Sequence, residues 1–287
     1  MTRATATSIG FVAVLLWALL ALFTAGSAPV PPFLLNALTF AVGGTVGVVW
    51  VLARGRLSVL GQIPWRVYAF GTVGLFGYHA LYFSALRLAP PAEAGLIAYL
   101  WPLLIVLFSG LLPGERLRLG HIAGALVSFV GAAVIVLRNG FAFDAAATPG
   151  LILAAFCALT WSTYSVVSRR LGDVPTEAVA VFCVFTAILS IPAHLMFEAT
   201  LWPQSTFAWL SVLALGLGPV GLAFYVWDIG VKRGDIQLLG VASYAAPLLS
   251  TLVLIAAGFA QASWQLLVAA GLITIGAGIA AMASRAR

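Results

Sequence analysis

The stretch "GLIAYLWPLL" at residues 95–104 returns 145 residues later as "GVASYAAPLL" at residues 240–249. Both segments carry a glycine, a tyrosine and a Pro-Leu-Leu run at matching positions. The same register, without gaps, aligns Tyr82 with Trp227, Arg87 with Lys232 and Gly131 with Gly276. Near the start of each half, Trp17 aligns with Trp161 at an offset of 144. These matches indicate an internal repeat, and they divide the chain into residues 1–145 and 146–287.

The composition is that of a membrane protein. Of the 287 residues, 63% are hydrophobic and only 8% are charged, and the mean hydropathy is +1.11. A soluble domain of this length needs a charged surface that the chain cannot make. The apolar residues come in blocks of roughly 20, the length of a helix that crosses a hydrocarbon core of about 30 Å. A transmembrane β-barrel is excluded, because its strands would show about ten residues of alternating polarity.

The blocks predict an all-α integral membrane protein with ten transmembrane helices. The predicted spans are 8–26, 33–53, 67–87, 93–112, 119–138, 150–168, 176–197, 207–229, 237–257 and 264–283. Each repeat holds five spans, and because five is odd the second repeat enters the membrane from the opposite side. Such inverted repeats are typical of secondary transporters, which bind substrate in a central cavity near the membrane midplane. Pro102 and Pro247 are repeat mates, so we expect both spans to bend there and act as conformational hinges.

The positive charges predict the orientation, because Lys and Arg concentrate in cytoplasmic connections. With both termini in the cytoplasm, twelve of the 14 Lys and Arg side chains lie on that side: Arg3, Arg54, Arg56, Arg66, Arg116, Arg118, Arg169, Arg170, Lys232, Arg233, Arg285 and Arg287. Arg87 and Arg138 remain outside. We therefore expect a multi-pass protein of the inner membrane with both termini cytoplasmic.

Four segments carry a resemblance to a known family. They are "LLWALLALF" (15–23), "ALRLAPPAEAGLIAYLWPLL" (85–104), "ALTWSTYSV" (158–166) and "DIGVKRGDIQLLGVASYAAPLL" (228–249). With the ten spans and short connections, they make the whole chain resemble the drug/metabolite transporter superfamily, EamA-type. The segment 82–109 is similar to the YddG-type aromatic amino-acid exporters within it. The resemblance implies a secondary transporter that exports small metabolites, foremost aromatic amino acids, by alternating access.

Polar and aromatic side chains deep in membrane helices usually face the bundle interior or a water-filled cavity. Tyr78 and Tyr82 are four residues apart and His79 and Tyr82 three, so they can share one face of the third span. The expected substrate-binding residues are Trp17, Tyr78, His79, Tyr82, Tyr99, Trp101, Trp161, Tyr164, Ser165, Ser243 and Tyr244. We expect them to form one cavity, in which aromatic rings hold a flat apolar side chain and polar groups hold a carboxylate or ammonium.

Lipid contact or helix packing are alternative roles for these aromatic side chains. Trp and Tyr favour the headgroup level of a bilayer. The tryptophans assigned to such a belt are Trp50, Trp65, Trp202, Trp209 and Trp264. Trp227 also lies near a span end and stays undecided between belt and cavity.

The titratable residues bear on the coupling of transport. Asp228 lies four residues before Lys232, a spacing typical of a salt pair. A proton-coupled exporter of lipophilic cations would be expected to carry an acidic residue in its first span, and this chain has none there. His79 is the titratable group deep in a span; it either couples transport to protons or, since burial disfavours a charged imidazole, serves as a neutral hydrogen-bond partner. The second option predicts a facilitator, and a broad metabolite or drug exporter driven by proton antiport is the alternative.

An enzyme is not expected, and neither are cofactors. The sequence has no HExxH, no Gly-x-Ser-x-Gly, no paired intramembrane Asp and no Cys/His cluster. Cys157 and Cys183 lie inside apolar blocks, and we interpret them as packing residues rather than a disulfide or metal ligands. The expected partners are a small-molecule substrate and the lipid bilayer, without metal or nucleic acid. A monomer is the working expectation, and the oligomeric state stays open.

Overall fold

The computed structural model describes residues 1–137, 140 and 145–285, and these residues contain no strand. Arg138 and Arg287, which enter the charge count, lie outside the described residues. The helices are α1 (Arg3–Trp17), α2 (Leu20–Gly26), α3 (Pro32–Ala53), α4 (Leu57–Gly61), α5 (Trp65–Leu88), α6 (Pro91–Ala98), α7 (Trp101–Ser109), α8 (Leu119–Val136), α9 (Thr148–Arg170), α10 (Ala178–Phe197), α11 (Thr206–Leu217), α12 (Ala223–Arg233), α13 (Ile236–Ala242), α14 (Ala245–Ala256) and α15 (Trp264–Arg285). A 3-10 turn, Ala145–Ala147, precedes α9, and a π turn, Gly218–Leu222, joins α11 to α12.

Within the described ranges, nine helical stretches are long and apolar enough to cross a membrane. They are Arg3–Gly26, Pro32–Ala53, Pro91–Ser109, Leu119–Val136, Ala145–Arg170, Ala178–Phe197, Thr206–Arg233, Ile236–Ala256 and Trp264–Arg285. The remaining predicted span, 67–87, corresponds to α5, whose 24 residues extend about 36 Å. Tyr78, His79 and Tyr82 make the middle of α5 less apolar than the other spans. The chain is therefore an all-helical, multi-pass membrane protein.

Four of the predicted spans are interrupted near their middle. Two residues separate α1 from α2, α6 from α7 and α13 from α14, and the π turn separates α11 from α12. Pro102 lies at the start of α7, Pro219 in the π turn and Pro247 at the start of α14. A proline lacks the N–H that continues a helical ladder, so the bends predicted at Pro102 and Pro247 are present as breaks. No proline accompanies the break between α1 and α2, so the sequence carries no signal that predicts it.

Close helix packing joins the earlier and later parts of the chain. The most extensive contacts are those of α8 with α15, α3 with α10, α5 with α9 and α1 with α12. Glycine permits the closest approach between α1 and α12: a Cβ atom added to Gly10 would lie 2.7 Å from the Cα atom of Gly230. Small residues let the backbones of membrane helices touch in this way. The two parts of the chain are therefore packed tightly where α1 meets α12.

The tryptophans near the span ends fall into exposed and buried sets. The exposed set is Trp65, Trp202, Trp209 and Trp264. Trp50 is half-buried against Tyr225. Their place in a membrane belt stays a prediction. Trp227, which the sequence left undecided, is only 1% exposed and belongs to the core.

Candidate functional site

The interrupted spans meet around one cavity with a volume of about 130 Å³. Its lining residues are Trp17, Leu20, Tyr78, His79, Tyr82, Ala98, Tyr99, Trp101, Trp161, Pro219, Val220, Phe224 and Ala246. Most of them lie at or beside the breaks of α1–α2, α6–α7, α11–α12 and α13–α14, and the others come from the unbroken α5 and α9. Seven of the eleven predicted site residues are in this set. The breaks therefore bring residues from distant parts of the sequence to a common site.

A larger groove, of about 520 Å³, lies between α3 and α10. Aliphatic side chains make up most of its lining, and several of them, among them Ile188, Ile191 and Leu195, are exposed at the surface of the helical bundle. An exposed, apolar groove is what lipid chains fill in a membrane protein. We therefore take the smaller cavity, with its polar aromatic lining, as the candidate site.

Four indoles form one side of the cavity and the layer behind it. The indole cluster consists of Trp17, Trp101, Trp161 and Trp227, and every pair of its rings has centroids between 5.1 and 6.3 Å apart. Two of these rings are anchored by hydrogen bonds. Trp17 Nε1 donates to the carbonyl of Pro219 at 3.2 Å, and Trp227 Nε1 donates to Ser165 Oγ at 3.1 Å. The cluster thus offers a rigid aromatic surface held by the π turn and by α9.

The cavity lining also carries three phenol hydroxyls, and the ring of Tyr78 packs against Trp161 of the indole cluster at 5.4 Å. Tyr78 and Tyr82 stack with parallel rings 6.2 Å apart, and Tyr99 lies at the break between α6 and α7. None of these hydroxyls has a hydrogen-bond partner among the described residues, and the same holds for the indole N–H groups of Trp101 and Trp161. An unpaired polar group removed from water costs free energy. These five donors are therefore available to water or to a ligand.

His79 is the only histidine in the lining. Its Nδ1 atom lies 2.8 Å from the carbonyl oxygen of Leu75, one helical turn earlier. Its ring contacts Phe40 edge-to-face at 5.1 Å and Phe224 at 6.2 Å. The repeat register aligns Phe224 with His79, so the two repeat mates lie in contact in the cavity lining.

Four predicted site residues lie outside the lining, directly behind it. Tyr164 stacks on Trp161 at 5.2 Å, and Ser165 accepts the hydrogen bond from Trp227. Ser243 Oγ donates to the carbonyl of Leu239 at 2.8 Å. The hydroxyl of Tyr244 accepts a hydrogen bond from the Leu103 N–H at 3.1 Å. The polar groups of Ser165, Ser243 and Tyr244 are thus engaged within the protein rather than open to the cavity.

Six lining residues are absent from the sequence-based set: Leu20, Ala98, Pro219, Val220, Phe224 and Ala246. All are apolar and only Phe224 is aromatic, so most of them lack the polar or aromatic side chain that marks a candidate in the sequence. Two signals were available, since Pro219 is a proline within a span and Phe224 is the repeat mate of His79. The others carry no sequence mark that separates them from lipid-facing residues.

No charged side chain lines the cavity within the described part of the chain. The Asp228 carboxylate pairs with the Lys232 ammonium at 2.8 Å and accepts a hydrogen bond from Thr176 at 2.7 Å. The predicted salt pair is thus confirmed, and it lies away from the cavity. The described residues also contain no group of His, Cys, Asp and Glu that could hold a metal ion, and Cys157 and Cys183 are buried free thiols.

A network of charges closes the end of the bundle where α1 begins. We call it the Arg3 network; it comprises Arg3, Glu115, Arg169 and Asp235. The Glu115 carboxylate contacts both the Arg3 guanidinium, at 3.2 Å, and the Arg169 guanidinium. Arg3 also approaches Asp235 at 3.6 Å, and Arg169 donates to the carbonyl oxygen of Gly234 at 2.9 Å. The network ties α1 and the α7–α8 connection to α9 and the α12–α13 connection.

The opposite end of the bundle is held by Glu198. Its carboxylate contacts the Arg87 guanidinium at 2.8 Å and the His194 ring at 2.9 Å. It also accepts hydrogen bonds from the backbone N–H groups of Phe33, at 2.9 Å, and Leu34, at 3.2 Å, at the start of α3. A carboxylate in this position satisfies N–H groups that have no partner in the first turn of a helix. Glu198 thus joins α3, α5 and α10.

Comparisons with known proteins agree with this architecture. The sequence matches the EamA-like transporter family over residues 5–137 and 148–282. The aromatic amino acid exporter YddG of Ancylobacter novellus is 59% identical over 99% of this chain and 100% of its own length, and that of Salmonella typhimurium is 26% identical over the full length of both. A solved crystal structure of a protein with 58% identity superposes with a TM-score of 0.95 over 99% of both chains. The chain therefore belongs to the EamA-like transporter family.

Proposed function

We propose that the protein exports aromatic amino acids across the inner membrane by alternating access, as a facilitator. The observation that carries the proposal is the uncharged cavity, which combines an indole surface with unpaired hydroxyl and imidazole groups. Relatives named as aromatic amino acid exporters support the same substrate class. As an exporter of the EamA-like family, the chain acts as a transporter and not as an enzyme.

The indole cluster suits the ring of the substrate. Aromatic rings that stack or meet edge-to-face gain about 0.5–1.5 kcal/mol per pair beyond simple burial. Trp17, Trp101 and Trp161 all present their rings to the cavity, while Trp227 supports them from behind. The Tyr hydroxyls and indole N–H groups then suit the carboxylate, because hydrogen bonds to a charged acceptor are the stronger ones. One small molecule with an aromatic ring at one end and a zwitterion at the other can pack against the indole rings and also accept hydrogen bonds from these donors.

The helix contacts support two inverted five-helix repeats, residues 1–145 and 146–287. The repeat relates each of the ten predicted spans to the span five places away. The contact between the first and eighth spans, α1–α12, therefore corresponds to the contact between the sixth and third spans, α9–α5, and both contacts are present. The second–seventh and fifth–tenth pairings, α3–α10 and α8–α15, map onto themselves. The family match to two successive segments supports the same division.

The charge bias favours a cytoplasmic location for the Arg3 network and for both termini. Because the network joins the two repeats at that end, we infer that it closes the cytoplasmic side of the cavity and that the cavity opens toward the opposite side. Alternating access then requires these ion pairs to separate. The breaks at Tyr99–Leu100 and Ser243–Tyr244, each followed by a proline, are the proposed hinges.

A broad metabolite or drug exporter driven by proton antiport is the second candidate, and one observation favours it: a titratable imidazole, His79, lines the cavity. Against it stands the uncharged lining, which offers no carboxylate to exchange a proton with a cationic substrate. A liposome assay separates the two. Uphill movement of phenylalanine driven by an imposed pH gradient would establish antiport, and movement that follows only the amino-acid gradient would establish a facilitator.

Counterflow in proteoliposomes tests the substrate class. Vesicles loaded with unlabelled phenylalanine are expected to accumulate labelled phenylalanine and tryptophan. Labelled threonine and a lipophilic cation are expected to accumulate far less, because neither matches an uncharged aromatic cavity. Preferred uptake of the cation would contradict the proposal.

A further inference from the structure

We propose that His79 accepts a hydrogen bond from the ammonium group of the substrate through Nε2, and so selects α-amino acids over analogues without an amino group. The inference rests on the proposed function and assigns a role within the same cavity. It concerns which end of the zwitterion the imidazole binds, since an imidazole can serve as a donor to a carboxylate or as an acceptor from an ammonium.

The hydrogen bond at Nδ1 decides between these roles. A carbonyl oxygen can only accept, so the Nδ1 atom that lies 2.8 Å from the Leu75 oxygen must carry the proton. A neutral imidazole carries one ring proton, and which nitrogen holds it is set by the bond that nitrogen makes. Nε2 is then left with a lone pair, and it has no hydrogen-bond partner among the described residues.

The surroundings of the ring favour this neutral form. Phe40, Phe83 and Phe224 pack around it, with centroids 5.1 to 6.2 Å away. No carboxylate lines the cavity in the described part of the chain to stabilise an imidazolium. The neighbouring Tyr78 contacts the ring at 5.2 Å without hydrogen-bonding to it. Nε2 therefore faces the cavity as an acceptor that no group of the protein has taken.

The other polar groups around the cavity complete the argument. The indole N–H groups of Trp101 and Trp161 can only donate, and the hydroxyls of Tyr78, Tyr82 and Tyr99 donate readily to an anion. His79 Nε2 is the lining side-chain atom that can only accept. A zwitterion placed among them satisfies the most groups when its carboxylate meets the donors and its ammonium meets His79. The repeat mate of His79 is Phe224, which has no polar side-chain atom, so the second repeat offers no matching acceptor.

The test measures how well unlabelled compounds compete with labelled phenylalanine in counterflow. The competitors are L-phenylalanine, 3-phenylpropanoate, which lacks the ammonium, and 2-phenylethylamine, which lacks the carboxylate. The His79→Leu variant is expected to raise the half-maximal concentration of L-phenylalanine roughly tenfold or more, and that of 3-phenylpropanoate less than about twofold. His79→Asn, which keeps an oxygen acceptor, is expected to recover part of the loss. The Tyr99→Phe variant is the matched control and should weaken the two carboxylates but not the amine.

An equal loss for L-phenylalanine and 3-phenylpropanoate in His79→Leu would overturn the inference, because it would assign His79 to the carboxylate or to the cavity wall. If wild-type protein shows no competition by L-phenylalanine at all, the proposed function itself fails. A second measurement does not depend on transport. The ¹⁵N NMR spectrum of histidine-labelled protein, assigned with His79→Leu, should show Nδ1 protonated and Nε2 bare at neutral pH, and the opposite tautomer or an imidazolium would also overturn the inference.

Discussion

The cavity and the Arg3 network differ in whether their polar groups have partners within the protein. Around the cavity, the hydroxyls of Tyr78, Tyr82 and Tyr99, the indole N–H groups of Trp101 and Trp161, and His79 Nε2 have no hydrogen-bond partner among the described residues. In the Arg3 network, the Glu115 carboxylate is 3% exposed and has a guanidinium on each side, one from α1 and one from α9. Polar groups that are satisfied within the protein hold one arrangement of helices, whereas groups left unsatisfied are available to a ligand. The contrast supports the proposal that substrate binds in the first region and that the second controls the conformation.

The largest effect is expected from removing an indole of the cluster. Trp161 contacts Trp17, Trp101 and Trp227, and it is 3% exposed. Trp161→Ala is expected to lower the free energy of unfolding by about 3–5 kcal/mol, because it leaves a void among closely packed rings. Phenylalanine counterflow should be lost as well.

The control for this change is Trp264→Ala, since Trp264 is 69% exposed at the start of α15. Its effect on stability in detergent should be within about 0.5 kcal/mol. Thermal unfolding followed by tryptophan fluorescence measures both variants. Equal destabilisation by the two changes would mean that the cluster does not hold the bundle together.

Neutralising the Arg3 network is expected to have the next largest effect. Glu115→Gln removes the charge between Arg3 and Arg169 but keeps a similar shape. Since the two guanidinium groups are partly exposed, we expect a loss of about 1–3 kcal/mol. Asp173 is an exposed residue of the α9–α10 connection that has no ion pair among the described residues, so Asp173→Asn is the matched control and should be nearly neutral.

The same variant tests the conformational role of the network. Leu239 is buried beside Gly10 and Gly230, where α1 packs on α12 and α13. In a background without Cys157 and Cys183, a Leu239→Cys substitution should react with maleimide faster when combined with Glu115→Gln. An unchanged labelling rate would mean that the Arg3 network does not control the opening of the protein where α1 packs on α12 and α13.

Two tyrosines show the same difference between a hydroxyl with a protein partner and one without. The Tyr225 hydroxyl donates to the Gly43 carbonyl at 3.0 Å, whereas the Tyr99 hydroxyl faces the cavity unpaired. Tyr225→Phe is expected to lower stability by about 1–2 kcal/mol and to leave phenylalanine affinity nearly unchanged. Tyr99→Phe should leave stability nearly unchanged and weaken phenylalanine about three- to tenfold. Thermal unfolding and counterflow on both variants check the pair, and a reversed pattern would refute the division into paired and available groups.

The smallest effect is expected at the helix breaks. Pro102→Ala restores a backbone N–H beside the break between α6 and α7. We expect it to slow phenylalanine exchange a few-fold with little change in affinity, because a more continuous helix bends less easily. Pro192→Ala within the unbroken α10 is the matched control and should leave the exchange rate unchanged. Equal slowing by both would argue against a hinge at Pro102.

The sequence predicted much of this molecule because its signals are local. Hydropathy marked the spans, although α5 is less apolar than its neighbours because of the polar aromatic residues that line the cavity. The prolines marked three of the four breaks. The residues Trp17, His79 and Tyr99 stood out because polar or aromatic groups in a membrane helix are uncommon enough to be informative.

Other features depend on how distant segments meet. Ser243 and Tyr244 resemble cavity residues in the sequence, yet Ser243 Oγ donates to the Leu239 carbonyl one turn earlier and the Tyr244 hydroxyl accepts from the Leu103 N–H. The interruption between α1 and α2 has no proline to announce it.

Composition and the length of the apolar blocks were thus sufficient for the membrane class and the helical content, and the resemblance of four sequence segments indicated the family. The contact of His79 Nδ1 with the Leu75 carbonyl, the two guanidinium partners of Glu115 and the lack of a partner for the Tyr99 hydroxyl among the described residues required the folded molecule. Hydrogen bonds and ion pairs depend on distances of about 3 Å, and packing between helices far apart in the chain sets those distances.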